Sequence, residues 1–332
     1  MVNLGVYTKT IIASFAETIK AKMIAIYQKT QLKPTLKKIR TPGGRAVWIN
    51  LISPKAKEIS WLSSKFLIPK EFIASALDPE ERPHCDSEGI FKIFILRIPI
   101  LTQRKTIKTV PLTIVVAPQQ IITICLEDNE VLKDFEQERI KDFYTSKKTR
   151  FLLQIFGRVN FYYKQYLDFL EKEIETIEKK LLKSFRNEEI IKLLNIQKSL
   201  LYFNTASKGN GNVLEQVLKG EILELFKEDK NLLENIVFES RQVIETVEIF
   251  NNLLANTMDA YASIISNNLN IVMKFLASIT IILSIPTIIA SLYGMNIGLP
   301  LEGFPHSFWL IISISLFIMF LLTAIFIKLK YL

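Results

Sequence analysis

The stretch SLYGMNIGLP, Ser291–Pro300, separates two apolar runs near the end of the chain. The run before it carries no Asp, Glu, Lys or Arg from Phe275 onward, and the run after it carries none between Phe308 and Ile327. A helix needs roughly 20 apolar residues to cross a hydrocarbon core. We therefore predict two transmembrane helices, Phe275–Tyr293 and Phe308–Ile327, joined by a loop over residues 294–307.

The charges that flank these spans predict their orientation. Lys274 precedes the first span, Lys328 and Lys330 follow the second, and the loop contains Glu302 but no Lys or Arg. Because basic residues favour the cytoplasmic side, both termini, including the tail over residues 328–332, are predicted to be cytoplasmic and the loop to lie outside. The N-terminus has no secretory signal pattern. We expect a multi-pass protein of the inner or plasma membrane, in contact with lipid.

The remaining composition excludes several function classes. The net charge of +9 comes from lysines that mostly alternate with Glu, which is typical of a solvated surface attracted to anionic lipid and not of a nucleic-acid patch. The chain lacks a Walker motif, a dinucleotide glycine pattern and a nucleophile elbow, so we predict no enzyme and no bound cofactor. Cys85 and Cys125 lie in the part assigned to the cytosol, where a disulfide is not expected.

Upstream of the spans we predict a cytosolic α/β domain and a helical region. Residues 1–44 are a basic lead that ends in RTPGGR, and residues 45–145 mix helices and strands. The expected strands are AVWINLIS, IFKIFILRIPI, TVPLTIVVA and QIITICLED, and the expected helices are PKAKEISWLSSKF and PKEFIASAL. Residues 146–230 are predicted to be helical, with breaks near Thr145, Phe185 and SKGNGN at 207–212.

A single long helix is predicted for residues 231–293, because apolar residues recur at intervals of three and four and no Gly or Pro precedes Pro286. At 1.5 Å per residue this helix would be on the order of 90 Å long. One chain offers no fold that could cover such a stripe. We therefore expect a parallel bundle of stalk helices from several copies, which continues into the membrane over residues 275–293.

Polar and small residues follow one face of the first span. They lie at steps of three and four: Asn270, Met273, Ala277, Thr280, Ser284, Thr287 and Ser291. In a symmetric ring this face would line a conduit of hydroxyls, closed near its cytosolic mouth by Asn270, Met273 and Leu276. The alternative is that small residues and hydroxyls only allow membrane helices to pack closely. Neither span contains a carboxylate, which argues against a proton relay.

Tyr293, Gly294, Met295 and Asn296, placed directly after the first of two C-terminal spans, resemble the signature of the CorA family of magnesium and divalent-cation channels. The segments PTIIASL and NIVMKFL before them are similar to that family in spacing, and AVWINLISPKAKEISWL and LDPEERP are similar more loosely. The resemblance implies an α+β membrane protein with a cytosolic α/β domain, a stalk helix and two transmembrane helices. It also implies assembly into a homopentameric funnel.

The resemblance further implies roles for individual residues. Asn296 would form a ring at the outer mouth that hydrogen-bonds the water shell of a metal ion, while Gly294 and Met295 shape the turn. Thr287 would form a ring within the pore, and Met273 and Leu276 a hydrophobic constriction. Magnesium would be the transported ion and a possible regulator. Gly294 is also expected to cap the first span at its C-terminus.

Two departures from the family pattern affect these roles. The outer loop, IGLPLEGFPHSFW, has only Glu302 as an acidic residue, so it would concentrate cations weakly and Glu302 would be the source. The stalk position of the family's cytosolic regulatory site is Asn235, and the loop LTQRKTIK has no acid. Regulation by cytosolic magnesium would then be weakened or use other carboxylates, with Glu234, Glu239 and Asp259 as candidates.

Other candidates remain beside this hypothesis. His84 and Cys85, with Asp78, Glu80, Glu81 and Asp86 nearby, could form a soft-metal site, although Pro79 and Pro83 favour a charged surface turn. His306 in the outer loop could bind zinc or nickel or be an interfacial side chain. The functional alternatives to magnesium uptake are transport of cobalt, nickel or zinc by the same fold, and a membrane-anchored cytosolic sensor or scaffold that conducts nothing.

Overall fold

A computed structural model of the chain describes residues 24–39, 46–102, 106–181, 187–220, 222–223, 225–298, 300 and 305–331. These residues form seven strands and seven helices. The strands are β1 Ile24–Thr30, β2 Lys33–Ile39, β3 Val47–Ile52, β4 His84–Glu88, β5 Phe91–Leu101, β6 Ile107–Val116 and β7 Gln120–Cys125. The helices are α1 Ala56–Phe66, α2 Lys70–Leu77, α3 Glu130–Glu136, α4 Lys148–Leu181, α5 Asn187–Leu218, α6 Lys227–Tyr293 and α7 Ser307–Lys328.

The strands form one sheet in the order β2-β1-β3-β7-β6-β5-β4. β3 and β7 pair in parallel, from Val47 opposite Gln120 to Ile52 opposite Cys125. The other neighbours pair antiparallel. The central strands β3, β5, β6 and β7 are buried along almost their whole length because helices cover both faces of the sheet.

Alternate residues of β3 show the two layers of the core. Ile49 and Leu51 belong to an apolar cluster that also contains Leu62 of α1 and Phe72 of α2. Trp48 lies on the opposite face, with its ring centroid 5.2 Å from that of Phe151. Its indole nitrogen donates a hydrogen bond to a threonine hydroxyl of β7 at 2.9 Å, so this buried polar group is paired. Alternate residues of AVWINLIS therefore pack into apolar cores on opposite faces of the sheet.

The sheet begins before the predicted boundary of the α/β domain at residue 45. Two strands, β1 and β2, lie within the stretch 1–44 that the sequence indicates as a basic lead. β2 lies at one edge of the sheet, and its residues are mostly exposed. Lysine residues on such an edge disfavour its pairing with other chains. The same lysine-rich composition makes the strand resemble an unstructured segment in the sequence. Residues 1–23 and 40–45 lie outside the described residues.

The segment SKGNGN at 207–212 is not a break, because α5 runs through it without interruption. A Cβ added at Gly209 would lie 2.7 Å from Cγ of Pro83, and one at Gly211 would lie 3.0 Å from Cδ1 of Ile244. The glycines therefore permit close approach of α5 to the segment before β4 and to α6. The composition of SKGNGN predicts a flexible break. In the structure the glycines at 209 and 211 instead lie where a side chain would crowd neighbouring residues.

Polar contacts fix the first turns of α6 to α4. Nε of Arg150 donates to Oδ1 of Asp229 at 2.8 Å, and its NH2 group donates to Oε2 of Glu228 at 3.1 Å. Further along, Nδ2 of the buried Asn160 donates to the carbonyl oxygen of Ile236 at 3.0 Å. These contacts lie in the first of two compact units, which ends at Ala255. The second unit begins at Asn256 and contains the C-terminal part of α6 and all of α7.

Candidate functional site

Two helices of the described chain are long and apolar enough to cross a membrane, judged by length and composition. They are α6, whose C-terminal part contains the predicted span Phe275–Tyr293, and α7. α7 covers Ser307–Lys328, against a prediction of Phe308–Ile327. In the span 275–293 and in α7, no apolar side chain is fully buried in the single chain and most are exposed, so lipid or further copies must cover them in the native environment.

The face of α6 that the sequence singles out is largely uncovered. Met273 and Leu276 are 58% and 59% exposed, and Thr280, Thr287 and Ser291 are exposed too. Ser284 is half-buried. Asn270 continues the exposed face one turn before Met273. The structure therefore places these predicted residues on one open face of one helix.

The opposite face of α6 is the covered one. Ser278 is 2% exposed, and Ile282, Ile285 and Ile289 follow it at steps of four, three and four and are half-buried. On α7 only Ser315 is buried among the described residues, with 8% exposure. Buried serines on both helices are typical of close helix packing in membranes. Within the single chain, helix packing therefore uses this face, and both roles considered for the hydroxyl face, pore lining and close packing against other helices, stay predictions.

The hydroxyls on the open face donate to their own helix. Thr280 Oγ1 donates to the carbonyl oxygen of Leu276 at 2.8 Å, and Thr287 Oγ1 to that of Leu283 at 3.1 Å. Ser284 Oγ donates to the carbonyl oxygen of Ile281 at 2.8 Å. Because each hydroxyl proton is used within the helix, the oxygen presents its free lone pairs outward. The open face is therefore a row of hydrogen-bond acceptors without net charge.

The row of acceptors ends at the turn after α6. The N–H of Gly294 donates to the carbonyl oxygen of Ala290 at 2.9 Å, and that of Met295 to Leu292 at 3.4 Å, so the chain continues helically past Tyr293. Gly294 occupies the position of a cap, but its φ is not positive, unlike the φ of Gly89 and Gly220. It is therefore not a left-handed cap. Met295 and Asn296 are exposed, and Glu302 lies outside the described residues.

The candidate cytosolic metal positions do not converge within one chain. Asn235, Glu234 and Asp259 are exposed on α6, and Glu239 is half-buried there. No group of three or more His, Cys, Asp or Glu side chains that could hold a metal exists among the residues that the structure describes. The central part of the loop LTQRKTIK, residues 103–105, lies outside those residues.

The charged segment around His84 likewise does not bring three or more His, Cys, Asp or Glu side chains together as a metal site. It is not entirely a turn either, because His84–Glu88 forms the edge strand β4. His84 Nδ1 lies 2.9 Å from the carbonyl oxygen of Arg82 and 3.6 Å from Oε1 of Glu81. Cys85 Sγ donates to Oε1 of Gln216 on α5. These neighbours explain the polar residues as contacts of an edge strand. His306 directly precedes α7, and its side chain makes no capping hydrogen bond.

Comparison with known proteins settles the family. The model of the family described as CorA-like Mg²⁺ transporter protein matches residues 43–328 of the chain. The chain belongs to this family. Membership confirms the resemblance drawn from the YGMN turn, and it confirms a transport protein rather than an enzyme.

Proteins with a similar sequence or the same fold match nearly the whole chain. The cobalt/magnesium transport protein CorA of Methanocaldococcus jannaschii is 27% identical over 305 residues, which are 89% of this chain and 94% of the relative. A solved structure described as the complete CorA magnesium transporter of that organism has a TM-score of 0.80 at 24% identity, over 93% of this chain and 98% of the other. The full-length CmaX protein shares the fold at 14% identity, with a TM-score of 0.67 over 92% and 100%.

Sequence reasoning missed two residues beside the candidate site on α6. One is Ser278, which is a hydroxyl like the others but lies on the covered face. Its position off the register of threes and fours was the available signal. The other is Tyr331, whose ring lies 5.4 Å from the Nζ atom of Lys274. No sequence pattern links these two residues, because the contact depends on how the chain turns after α7.

Proposed function

We propose that this CorA-family chain assembles into a homopentameric channel that admits hydrated magnesium into the cell, driven by the membrane potential. The observation that carries the proposal is the exposed acceptor face of α6 between Asn270 and the turn at Asn296, together with the packing of the opposite face within the chain from Ser278 onward. Five copies arranged around an axis would bring five such faces together. In that arrangement α7 faces lipid.

The chemistry of the face suits a hydrated cation. Magnesium loses its water reluctantly, and the water molecules around it direct their hydrogens outward. A wall that recognises the intact shell must therefore accept hydrogen bonds. Thr280, Ser284 and Thr287 donate their own protons to the helix and so act as acceptors on the outside. The carboxamide oxygen of Asn296 supplies the same function at the mouth, with the metal held through water and not directly.

The direction of α6 adds to cation attraction at the mouth. With both termini in the cytoplasm, as the lysines at 274, 328 and 330 favour, α6 ends at the outer surface. The partial negative charge of its C-terminus then points to the mouth, once from each copy. Glu302 would add to this field. At the other end, Met273 and Leu276 would form two apolar rings that close the pathway by excluding water.

The experiment is a flux assay on the purified full-length protein in liposomes with a magnesium-sensitive dye inside. We expect magnesium entry that depends on an inside-negative potential, and loss of this entry in Asn296→Ala. The matched control is Asn267→Ala, the same substitution on an exposed residue of α6 away from the acceptor face. Entry that persists in Asn296→Ala would reject the assignment of the mouth.

Cobalt is the second candidate ion, because the relatives from Methanocaldococcus jannaschii and Thermotoga maritima are named cobalt/magnesium transport proteins. The same liposomes tested with cobalt, nickel and zinc rank the ions. Inhibition of magnesium entry by hexaammine cobalt indicates recognition of the hydrated ion, whereas its absence indicates direct coordination. If no ion enters, the chain is a membrane-anchored sensor or scaffold.

Regulation by cytosolic magnesium would require carboxylates from neighbouring copies. Glu234, Glu239 and Asp259 are the candidates on α6, since Asn235 cannot supply a charge. Magnesium inside the liposome should then inhibit entry in the wild type, and replacement of the responsible carboxylate by the corresponding amide should relieve that inhibition. Magnesium is substrate and regulator in this proposal, with no bound cofactor.

A further inference from the structure

Lys274 and Tyr331 join the two apolar helices at the end opposite the connecting loop. The Nζ atom of Lys274 lies 5.4 Å from the centroid of the Tyr331 ring. An ammonium within about 6 Å of an aromatic centroid is attracted by the negative face of the ring. The contact lies within the second compact unit, and it connects the residue just before the first span to Tyr331, three residues after the end of α7.

The chain after α7 is shaped to present this ring. Lys330 adopts a left-handed conformation with φ 57°, which is uncommon for a residue with a side chain. The N–H of Tyr331 then donates to the carbonyl oxygen of Phe326 at 2.9 Å, and the ring centroids of Tyr331 and Phe326 lie 6.1 Å apart. A left-handed residue followed by this backbone bond and an apolar contact is the Schellman type of helix end. It turns Tyr331 back along the helix pair.

Lys274 occupies a position next to the proposed constriction. It directly follows Met273 and lies two residues before Leu276, at about 100° around the helix from Met273. Its carbonyl oxygen accepts a hydrogen bond from Oγ of Ser278 at 2.8 Å, and Ser278 is buried on the covered face one turn later. The lysine therefore starts from the covered side of α6, although its long flexible stem could carry the ammonium elsewhere.

We propose that the Tyr331 ring holds the Lys274 ammonium on the covered side of α6 and so keeps positive charge away from the ion pathway at the constriction. The inference rests on the proposed channel function. Tyr331 is a positioning residue: it touches no ion and acts through Lys274. Without the ring, each copy in a pentamer would place one mobile positive charge beside the cytosolic mouth. Those charges repel a divalent cation.

The test is magnesium flux in liposomes for single and double variants of the full-length protein. We expect Tyr331→Leu to lower the entry rate by about tenfold at low ionic strength, because several positive charges lie within about a Debye length of the pathway. The loss should shrink between about 0.02 M and about 0.5 M salt as the charges are screened. Lys274→Gln/Tyr331→Leu should restore the rate, since the released charge is gone. Tyr331→Phe should retain it, because the ring and not the hydroxyl makes the contact.

Different results would overturn the inference. If Lys274→Gln lowers the rate as much as Tyr331→Leu and the double variant is not restored, the pair only ties the helices together. A rate loss in Tyr331→Leu that does not change with salt contradicts the electrostatic role as well. Absence of flux in the wild type would reject the proposed function, whereas normal flux in Tyr331→Leu would reject this inference alone. Size-exclusion chromatography in detergent shows whether each variant is assembled.

Discussion

Asn210 on α5 bonds both backbone polar groups of Arg97 on β5. The N–H of Arg97 donates to Oδ1 of Asn210 at 2.9 Å, and Nδ2 of Asn210 donates to the carbonyl oxygen of Arg97 at 2.8 Å. The edge strand β4 pairs with β5 only as far as Ile95, so none of the seven described strands reaches Arg97 from that side. The side-chain amide takes the place of the missing strand.

Replacing Asn210 should therefore destabilise the α/β domain. Asn210→Ala leaves the N–H of Arg97 without this partner in a site where Asn210 itself is 3% exposed, while the carbonyl oxygen still accepts from Tyr163. We expect a loss of about 2 kcal/mol in the free energy of unfolding, typical of an orphaned buried donor. Thermal unfolding of the full-length protein measures it. Asn212→Ala, an exposed position of the same segment, should change little, and an equal effect there would refute the argument.

The close approach at Gly209 gives a second prediction. A Cβ there would meet Cγ of Pro83 at 2.7 Å, so Gly209→Ala should cost about 1–2 kcal/mol of stability by overpacking, despite the helix propensity of alanine. Gly157→Ala on α4 is the matched control. Its Cβ would lie 3.5 Å from Cγ1 of Ile236, an ordinary contact, and the change should stabilise the protein by about 0.5–1 kcal/mol. Melting temperatures that shift in the same direction would contradict this account.

These contacts show what could be predicted from the sequence. The strands β3, β5, β6 and β7 were predictable because buried strands require apolar runs. The edge strands β2 and β4 were missed because exposed edges are polar and resemble loops. β1, which pairs with β2 and β3, was missed together with β2. SKGNGN was mistaken for a break because its small residues are explained by neighbours distant in sequence, Pro83 and Arg97.

The site was predictable to a similar extent. The hydroxyl face follows from spacing alone, because a helix places steps of three and four on one side. Which face packs within the chain was not predictable, since Ser278 and Thr280 have similar side chains and differ only in their neighbours. The Lys274–Tyr331 contact was not predictable either, because it depends on the left-handed conformation of Lys330.

The buried thiol of Cys125 should make stability depend on pH. Burial raises the pKa of Cys125 to about 12, whereas the pKa of a thiol in the unfolded chain is about 8.5. The unfolded state therefore releases its proton first, and stability falls as the pH rises above that value. We expect the melting temperature to decrease between about pH 8 and about pH 10 in both proteins, and to decrease more in the wild type than in Cys125→Ala. Parallel decreases would show that other groups dominate.

Thr287 tests the role of the acceptor face. Thr287→Val keeps the shape and removes the hydroxyl oxygen, so magnesium entry into liposomes should fall by about tenfold, the equivalent of one hydrogen bond of about 1.4 kcal/mol. Thr287→Ser should retain entry. Thr323→Val on α7 removes a hydroxyl that donates to its own helix in the same way, at 2.8 Å to Met319, and should leave entry unchanged. A similar loss in both valine variants would indicate helix destabilisation instead.

Leu276 tests the proposed constriction. An apolar ring excludes water from a narrow pathway, and a polar residue allows water to remain. Leu276→Ser should therefore raise the leak of magnesium through the channel in the absence of a membrane potential, and Met273→Ser should act in the same direction. Ile271→Ser is the control, because Ile271 is 57% exposed, close to the 59% of Leu276, but lies seven residues before Ser278 on the opposite side of the helix. The leak rates of these variants in liposomes are compared with that of the wild type. If the leak is unchanged in Leu276→Ser or rises equally in Ile271→Ser, Met273 and Leu276 do not form the gate.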